Sequence, residues 1–512
     1  MESMILFGGP IYTMDPGSMP EAVFIRNGHV HALGSVQEVF EHKDSSTEVV
    51  DLCGGALFPG FIDCCGQLSY RAGLLDMVDL SDAVDFEDIV SRIKDCICSF
   101  AVADGQWVIG MNYDPSFLAE KDQPDRALLD QLSTKHPILI THASLRMGVF
   151  NSLALERLHL CGDAPSCEGR HRSGRIDGEA FLAALSRMPK PKQSEFNARI
   201  DRMQDQYLRL GVTCVQECGT TPEQWERLLW VAQKRALRLD MLCSPDAGAQ
   251  GDYPEPPGRF SGAGALRFGG LRFQLDGNCA KDDLCGTLWR LQSAPKESES
   301  TFATDVQTER ELGNSIQRGF RPIASCCGET ALERFLTACE NAPNKPSRPL
   351  LLCERMNEEQ LPRVKALGAA VSFAPYDVLC RAQEDETALP YRLCPAKSAL
   401  QAGVPVAFHR EQCAWPPDPF GNIWSAVNRL DKKGKSIGAG ERVDVLSAFA
   451  SVTRDAAFAC MLEEHKGTIA VGKDADLVMT WEDPLKMDPL ELRSLRVRET
   501  IVRGRVAYQA QM

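Results

Sequence analysis

Short apolar runs broken by Gly, Pro and Asn occupy both ends of the chain. The runs at the start are ILFGGPIYTMD, EAVFIRNGHVHALG and TEVVDLCGGALFPG, and those at the end are HKGTIAVGKDADLVMTW and RVRETIVRGRVAYQ. Runs of this kind are typical of short strands, and the Asn27-Gly28 pair favours a tight hairpin turn. We therefore expect residues 1–57 and 468–512 to form one composite β-sandwich domain built from both termini.

The middle of the chain alternates between two patterns. Strand-like runs such as PILITHA, GVTCVQEC, RPLLLC and VPVAFH are separated by helix-like stretches such as NARIDRMQDQYLRL and PEQWERLLWVAQKRAL. This α/β alternation, repeated about eight times, predicts a parallel sheet, and a (β/α)8 barrel over residues 58–467 fits the count best. A doubly wound open sheet is the alternative. Its dinucleotide-binding version is disfavoured because no GxGxxG follows a strand.

Charge and cysteine content narrow the classes of partner. The 512 residues include 56 Lys and Arg against 70 Asp and Glu, a formal net charge of −14, which would repel nucleic acid. The chain contains no run of about 18 apolar residues, so no membrane span is predicted. The first residues do not resemble a secretory signal. We therefore expect a cytoplasmic protein with a small-molecule ligand, no nucleic acid and no membrane. Most of the 20 cysteines are expected to be small buried apolar residues.

Several separate motifs together resemble one family. LFPGFID (57–63), GVTCVQECGTT (211–221), the Asp-Gly of LRFQLDGN (271–278) and GTIAVGKDADLVM (467–479) follow one another in the expected order. On these motifs the chain is identified as a member of the amidohydrolase-3 family, which includes N-substituted formamide deformylase-like proteins. The resemblance implies a β-sandwich joined to a distorted TIM barrel, metal-dependent hydrolysis of C–N bonds other than peptide bonds, and a possible homodimer.

The residues at the family's metal-binding positions differ from the family pattern. The His-x-His after the first barrel strand is replaced by Cys65 and Gln67, and the bridging lysine by Arg272. An arginine cannot be carboxylated and is not a practical metal ligand. At the remaining positions the family's histidines and aspartate are replaced by Ser325, Cys353 and the string His409, Arg410, Glu411, and Arg146 replaces a histidine of the substrate region.

The sequence therefore predicts that the usual metal site is lost and that no cofactor is bound. The favoured interpretation is a divergent, inactive or repurposed barrel in which Arg272 pairs with Glu411 or another carboxylate. Its mouth would bind a small anionic or amide-bearing molecule through candidate residues Gln67, Arg146, Arg272, Ser325, Cys353, His409, Arg410 and Glu411.

Two other interpretations remain open. Thiolates bind borderline metals well, so Cys65, Cys353 and Glu411 could hold one zinc ion beside His409. Alternatively Cys65 is a nucleophile whose pKa Arg272 lowers, with His409 as its base. The catalytic candidates are then Cys65, His409 and Glu411. A third possibility is a structural or regulatory subunit that keeps the barrel for its surfaces.

Overall fold

The computed structural model describes residues 3–99, 102–144, 147–160, 173–247, 265–275, 305–326, 328–376, 393–410, 417–431 and 434–511. Two predicted site residues, Arg146 and Glu411, lie outside these ranges. The chain divides into two compact units, one of Met1–Ser69, Ile200–Cys279 and Ser298–Met512, the other of Tyr70–Arg199 and Ala280–Glu297.

The N-terminal segment forms a four-stranded sheet. Its elements are β1 Ser3–Phe7, β2 Ala22–Arg26, β3 His29–Gly34, α1 Val36–Phe40 and β4 Thr47–Asp51, followed by β5 Leu57–Pro59. The strand order is β3-β2-β1-β4, with β1 antiparallel to β2 and parallel to β4. Asn27 and Gly28 turn the chain between β2 and β3 at φ values of 51° and 85°. Both values lie in the left-handed region that a type I′ turn requires, so the predicted hairpin is confirmed.

The second unit contains its own five-stranded sheet. After β6 Phe61–Asp63 and α2 Leu68–Leu74, the chain forms β7 Val78–Asp79, α3 Phe86–Ser99, β8 Val108–Tyr113, α4 Arg126–Asp130, β9 Ile138–His142, β10 Met147–Phe150, α5 Ser152–Arg157, β11 Arg175–Asp177, α6 Gly178–Ser186 and α7 Gln193–Arg209. The order is β11-β10-β9-β8-β7. The run PILITHA, predicted as a barrel strand, is β9 and pairs with β8 and β10 instead. That placement was wrong because an apolar run shows that a strand is buried but not which sheet it joins.

The remainder of the first unit supplies two arcs of parallel strands. Its elements are β12 Val212–Cys218, α8 Pro222–Gln233, β13 Asp240–Ser244, β14 Leu266–Phe268, β15 Leu271–Gln274, α9 Asp305–Gln317, β16 Pro322–Cys326, α10 Glu329–Asn341, β17 Leu350–Cys353, α11 Gln360–Ala366, β18 Ala370–Phe373, α12 Ala396–Gln401, β19 Val406–Phe408, α13 Pro419–Asn428, α14 Val445–Ala450 and α15 Arg454–Ala459.

The two arcs are joined by backbone hydrogen bonds. The strand orders are β14-β13-β12-β6 and β15-β16-β17-β18-β19, and every pairing is parallel. The N–H of Arg272 donates to the carbonyl of Pro245 at 2.8 Å, and the N–H of Ala247 donates to the carbonyl of Arg272 at 2.8 Å. These two bonds place the end of β13 beside β15. The carboxyl ends of the strands in each arc therefore meet at one edge, where ligands bind in parallel α/β proteins.

The two ends of the chain share one buried core. The last strands are β20 Leu477–Thr480, β21 Val497–Val502 and β22 Arg505–Gln509, in a sheet of order β22-β21-β20-β5. Side chains of both terminal sheets, including Ile25, Leu57, Leu477 and Ile501, belong to a single hydrophobic cluster. Among the described helices, none has the length and apolar character needed to cross a bilayer.

Candidate functional site

The predicted site residues that the structure describes lie at strand ends of the first unit and are all buried. They are Cys65 and Gln67 after β6, Arg272 in β15, Ser325 in β16, Cys353 in β17, and His409 and Arg410 after β19. Ser325 lies opposite Gln274 of β15, and Cys353 lies opposite Cys326 of β16. Gln67 takes the left-handed conformation, with φ of 48°.

Arg272 is held by a carboxylate immediately after β13. Its Nε lies 2.6 Å from Oδ1 of Asp246, and its Nη2 lies 3.2 Å from Oδ2, the two-pronged geometry that fits a guanidinium to a carboxylate. The Arg272 side chain is 6% exposed and that of Asp246 is 24% exposed. Although burial opposes the charged form, Asp246 holds the pKa of Arg272 above its usual range. The pair is therefore ionised in the folded protein.

The turn after β12 leaves room for this guanidinium. Gly219 has φ of 76°, and a Cβ at that position would lie 2.7 Å from Nη2 of Arg272. A larger residue would be strained in its backbone and would collide with the ion pair. A glycine at position 219 therefore allows the backbone to lie close to the guanidinium of Arg272.

Asp246 was missed by sequence reasoning. We expected Arg272 to pair with Glu411 or another carboxylate; Glu411 lies outside the described residues, and the observed carboxylate is Asp246. The segment DMLCS, which forms β13, was not among the predicted strands. Had it been recognised, the acidic residue directly after it would have been a candidate, because the ends of parallel strands meet at one edge.

Cys64 and Cys65 are free thiols, and each forms a hydrogen bond with another thiol. Hydrogen bonding to Cys218, and then burial, raise the pKa of Cys65 well above its usual value, although Arg272 acts in the opposite direction. Cys64 and Cys460 have their sulfur atoms 3.7 Å apart, and that contact, with burial, raises the pKa of Cys64 in the same way. Cys64 and Cys65 are therefore protonated at neutral pH, whereas the nucleophilic form of a cysteine is the thiolate.

The described residues do not fit the divalent metal that such a fold implies. Within the part of the chain that the structure describes, no three His, Cys, Asp or Glu residues are grouped so that they could hold a metal ion. Arg272, which the resemblance places at the position of the bridging ligand, already has a carboxylate partner.

The end of β19 carries a histidine and an arginine in fixed orientations. Nδ1 of His409 lies 2.9 Å from Oγ of Ser372 on β18, and Nδ2 of Asn422 donates to the carbonyl of His409 at 2.8 Å. The guanidinium of Arg410 lies 4.1 Å from the ring centroid of Tyr376, within the range of a cation–π contact. Burial raises the pKa of Asp418, and Arg410 opposes that rise.

These residues line a small cavity. Asp63, His409, Arg410 and Asn422 all face a space of about 10 Å³, which is room for about one water molecule. The first unit therefore brings together a buried ion pair, protonated thiols and a cationic strand end. This combination can bind polar or anionic groups, and the raised pKa values of Cys64 and Cys65 disfavour nucleophilic attack by these two thiols.

Comparisons with known proteins place this architecture in one family. The amidohydrolase family model matches residues 48–508. The chain is 25% identical to the amidohydrolase YtcJ of Bacillus subtilis and 24% identical to the N-substituted formamide deformylase of Arthrobacter pascens, each over 99% of both chains. A metal-dependent hydrolase of Pyrococcus horikoshii superposes with a TM-score of 0.76 at 21% identity, over 95% of this chain and 99% of that one, which shows a shared fold. The chain belongs to the amidohydrolase family.

Proposed function

We propose that this chain is an amidohydrolase-family protein that binds a small anionic or amide-bearing molecule without the family's metal-dependent hydrolysis. In this proposal the two parallel arcs form a distorted (β/α)8 barrel, and the two terminal sheets form a β-sandwich. The observation that carries it is the buried pair of Arg272 and Asp246, because it puts a permanent positive charge where the resemblance implies a metal-bridging lysine.

The charges at the strand ends support an anionic or amide-bearing ligand. A guanidinium cannot lose its proton in a protein and presents several donors in a fixed plane. Arg410 is oriented by Tyr376, and His409 by Ser372. A carboxylate or an amide carbonyl on the ligand would accept hydrogen bonds from such groups. The protein residues would then bind and orient the ligand, with no activated water to attack it.

The relatives suggest which molecules to test first. One relative is named an N-substituted formamide deformylase, so N-substituted formamides are the first amide-bearing candidates, beside short carboxylates. The hydrogen bond to Cys218 and the burial that raise the pKa of Cys65 disfavour the alternative in which this thiol is a nucleophile.

The test combines a binding measurement with a hydrolysis measurement. Purified full-length protein is titrated calorimetrically with N-substituted formamides and short carboxylates, and amine release is followed with and without added zinc or manganese. We expect binding without amine release, and weaker binding in Arg410→Met than in the control Arg496→Met, whose side chain is exposed. Amine release that requires metal and stops with a chelator would contradict the proposal.

A further inference from the structure

A second cavity of the first unit lies away from the strand ends described above. It has a volume of about 1220 Å³ and is lined by the β2–β3 turn, the end of α8, the residues at the start of β13 and β14, and the β21–β22 hairpin. Asp246 lies at the other end of β13. The cavity is therefore separate from the candidate site, and an inference about it does not depend on the proposed function.

The lining of this cavity is strongly basic. It carries five arginines and, among the described residues, one carboxylate, that of Asp474; the arginines are Arg235, Arg238, Arg267, Arg503 and Arg505. The chain as a whole has a net charge of −14. An arginine-rich lining sets this cavity apart from the chain as a whole, whose net charge is negative. We name it the arginine groove.

Two of these arginines are held in place by carboxylates. The terminal nitrogens of Arg238 lie 2.7 Å from Asp205 and 3.0 Å from Asp201. Nη1 of Arg503 lies 2.6 Å from Asp240. Each guanidinium has five N–H donors, so such pairs orient the group and leave other donors available to a ligand.

Other charges at the groove favour an anion further. Arg235 is exposed and forms no ion pair with any described residue. The carboxylate of Asp474 lies 3.7 Å from Nζ of the buried Lys466 and 3.4 Å from Nδ1 of His29. Asp474 therefore has cationic neighbours, although Lys466 is shared with Asp240 and Asp476.

We infer that the arginine groove binds a small organic polyphosphate. Guanidinium groups match phosphate oxygens in two-pronged pairs, and several of them around one space suit several phosphates. The apolar lining residues Leu237, Val502 and Val506 offer contacts to the organic part. A volume of about 1220 Å³ is on the scale of small-molecule sites, which are about 300–1,000 Å³. The overall negative charge disfavours a nucleic acid.

The probes are adenosine triphosphate, inorganic tripolyphosphate and a single-stranded oligonucleotide, titrated into the full-length protein by calorimetry. We expect adenosine triphosphate to bind more tightly than tripolyphosphate, because only the former has an organic part, and binding of both to weaken with salt. The double variant Arg235→Glu, Arg505→Glu should weaken both affinities at least about tenfold, since it removes charge-assisted hydrogen bonds to phosphate and adds two repelling carboxylates.

The control is the double variant Lys94→Glu, Lys135→Glu, which makes the same change of charge at two exposed lysines of the second unit and should leave both affinities within about twofold. Thermal unfolding of each variant shows that it is folded. The inference is overturned if neither phosphate probe binds at millimolar concentration, if the control weakens binding as much as the groove variant, or if the oligonucleotide binds more tightly than both phosphates.

Discussion

Two buried ion clusters in the first unit differ in how completely they are enclosed. Lys466 joins the end of the chain to β13: its Nζ lies 2.8 Å from Asp240, contacts Asp476, and lies 3.7 Å from Asp474. Its side chain is 2% exposed, and those of Asp240 and Asp476 are each 4% exposed. Arg272 is 6% exposed but has a partner, Asp246, that is 24% exposed.

The difference separates the residues that build the fold from those at the strand ends. Asp476 belongs to the motif GTIAVGKDADLVM (467–479), which resembles the family pattern, and Lys466 directly precedes that motif. Arg272 stands where the resemblance implies a metal-bridging lysine. Because the two clusters use different residues, the chemistry at the strand ends can change while the scaffold is kept.

The largest effect is expected for Lys466→Met. Removing the ammonium takes away the buried positive charge that the surrounding aspartates share, so we expect a loss of about 3–5 kcal/mol in the free energy of unfolding. Denaturant unfolding measures it. The control is Lys486→Met, whose side chain is 79% exposed beside Asp483 and which should cost less than about 1 kcal/mol. Equal losses in the two variants would contradict the structural role of the Lys466 cluster.

The same cluster predicts a dependence on pH. Burial alone would raise the pKa of Asp240, but Lys466 and Arg503 hold it below its usual range. A carboxyl whose pKa is lowered by folding stabilises the protein above its unfolded pKa of about 3.9, and this contribution is lost as the pH falls through the folded value. In Lys466→Met the free energy of unfolding should fall less between neutral and acidic pH than it does in the parent protein. Denaturant unfolding at both pH values measures this difference.

A smaller effect is expected for Arg272→Met. We expect a loss of about 2–3 kcal/mol, below the range for a fully enclosed pair because Asp246 keeps some contact with solvent. The double variant Arg272→Met, Asp246→Leu should recover much of that loss, since no unpaired charge remains. If the loss of unfolding free energy in the double variant equals the sum of the losses in Arg272→Met and Asp246→Leu, the two residues are not energetically coupled.

The hydrogen bond between Ser372 and His409 should contribute less again. Ser372→Ala removes the group that contacts Nδ1 of a buried histidine, and the expected loss is about 1–2 kcal/mol in thermal or denaturant unfolding. Ser494, whose hydroxyl donates to the carbonyl of Glu491 on an exposed turn, is the control. Its replacement by Ala should change stability by no more than about 0.5 kcal/mol.

The buried thiols should show almost no reactivity. With raised pKa values, Cys64 and Cys65 should resist alkylation by iodoacetamide in the native protein near neutral pH, because the thiolate is the reactive form. The exposed Cys53 and Cys98 should react and serve as the internal comparison. Peptide mass spectrometry measures each site. Modification of Cys65 as fast as that of Cys53 would favour the interpretation in which Cys65 is a nucleophile.

The patterns in the sequence were most informative where structure is local. The Asn27-Gly28 hairpin and the contribution of both chain ends to one core follow from turn chemistry and apolar runs. The neighbours of β9 did not follow, because the run PILITHA is equally apolar in any buried sheet. The predicted site residues that the structure describes lie at strand ends, but their contacts depend on residues far apart in the chain. Asp246 and Arg272 are 26 positions apart, and Cys64 and Cys460 are 396 apart.

The measurement that tests the central claim most directly is the metal content of the purified protein. The protein is incubated with an excess of zinc, manganese or iron(II), desalted, and analysed for metal per chain. We predict well under one equivalent of each metal. One equivalent that is retained in the parent and in Cys53→Ser, but lost in Cys65→Ser or Cys353→Ser, would contradict the account and establish a thiolate metal site.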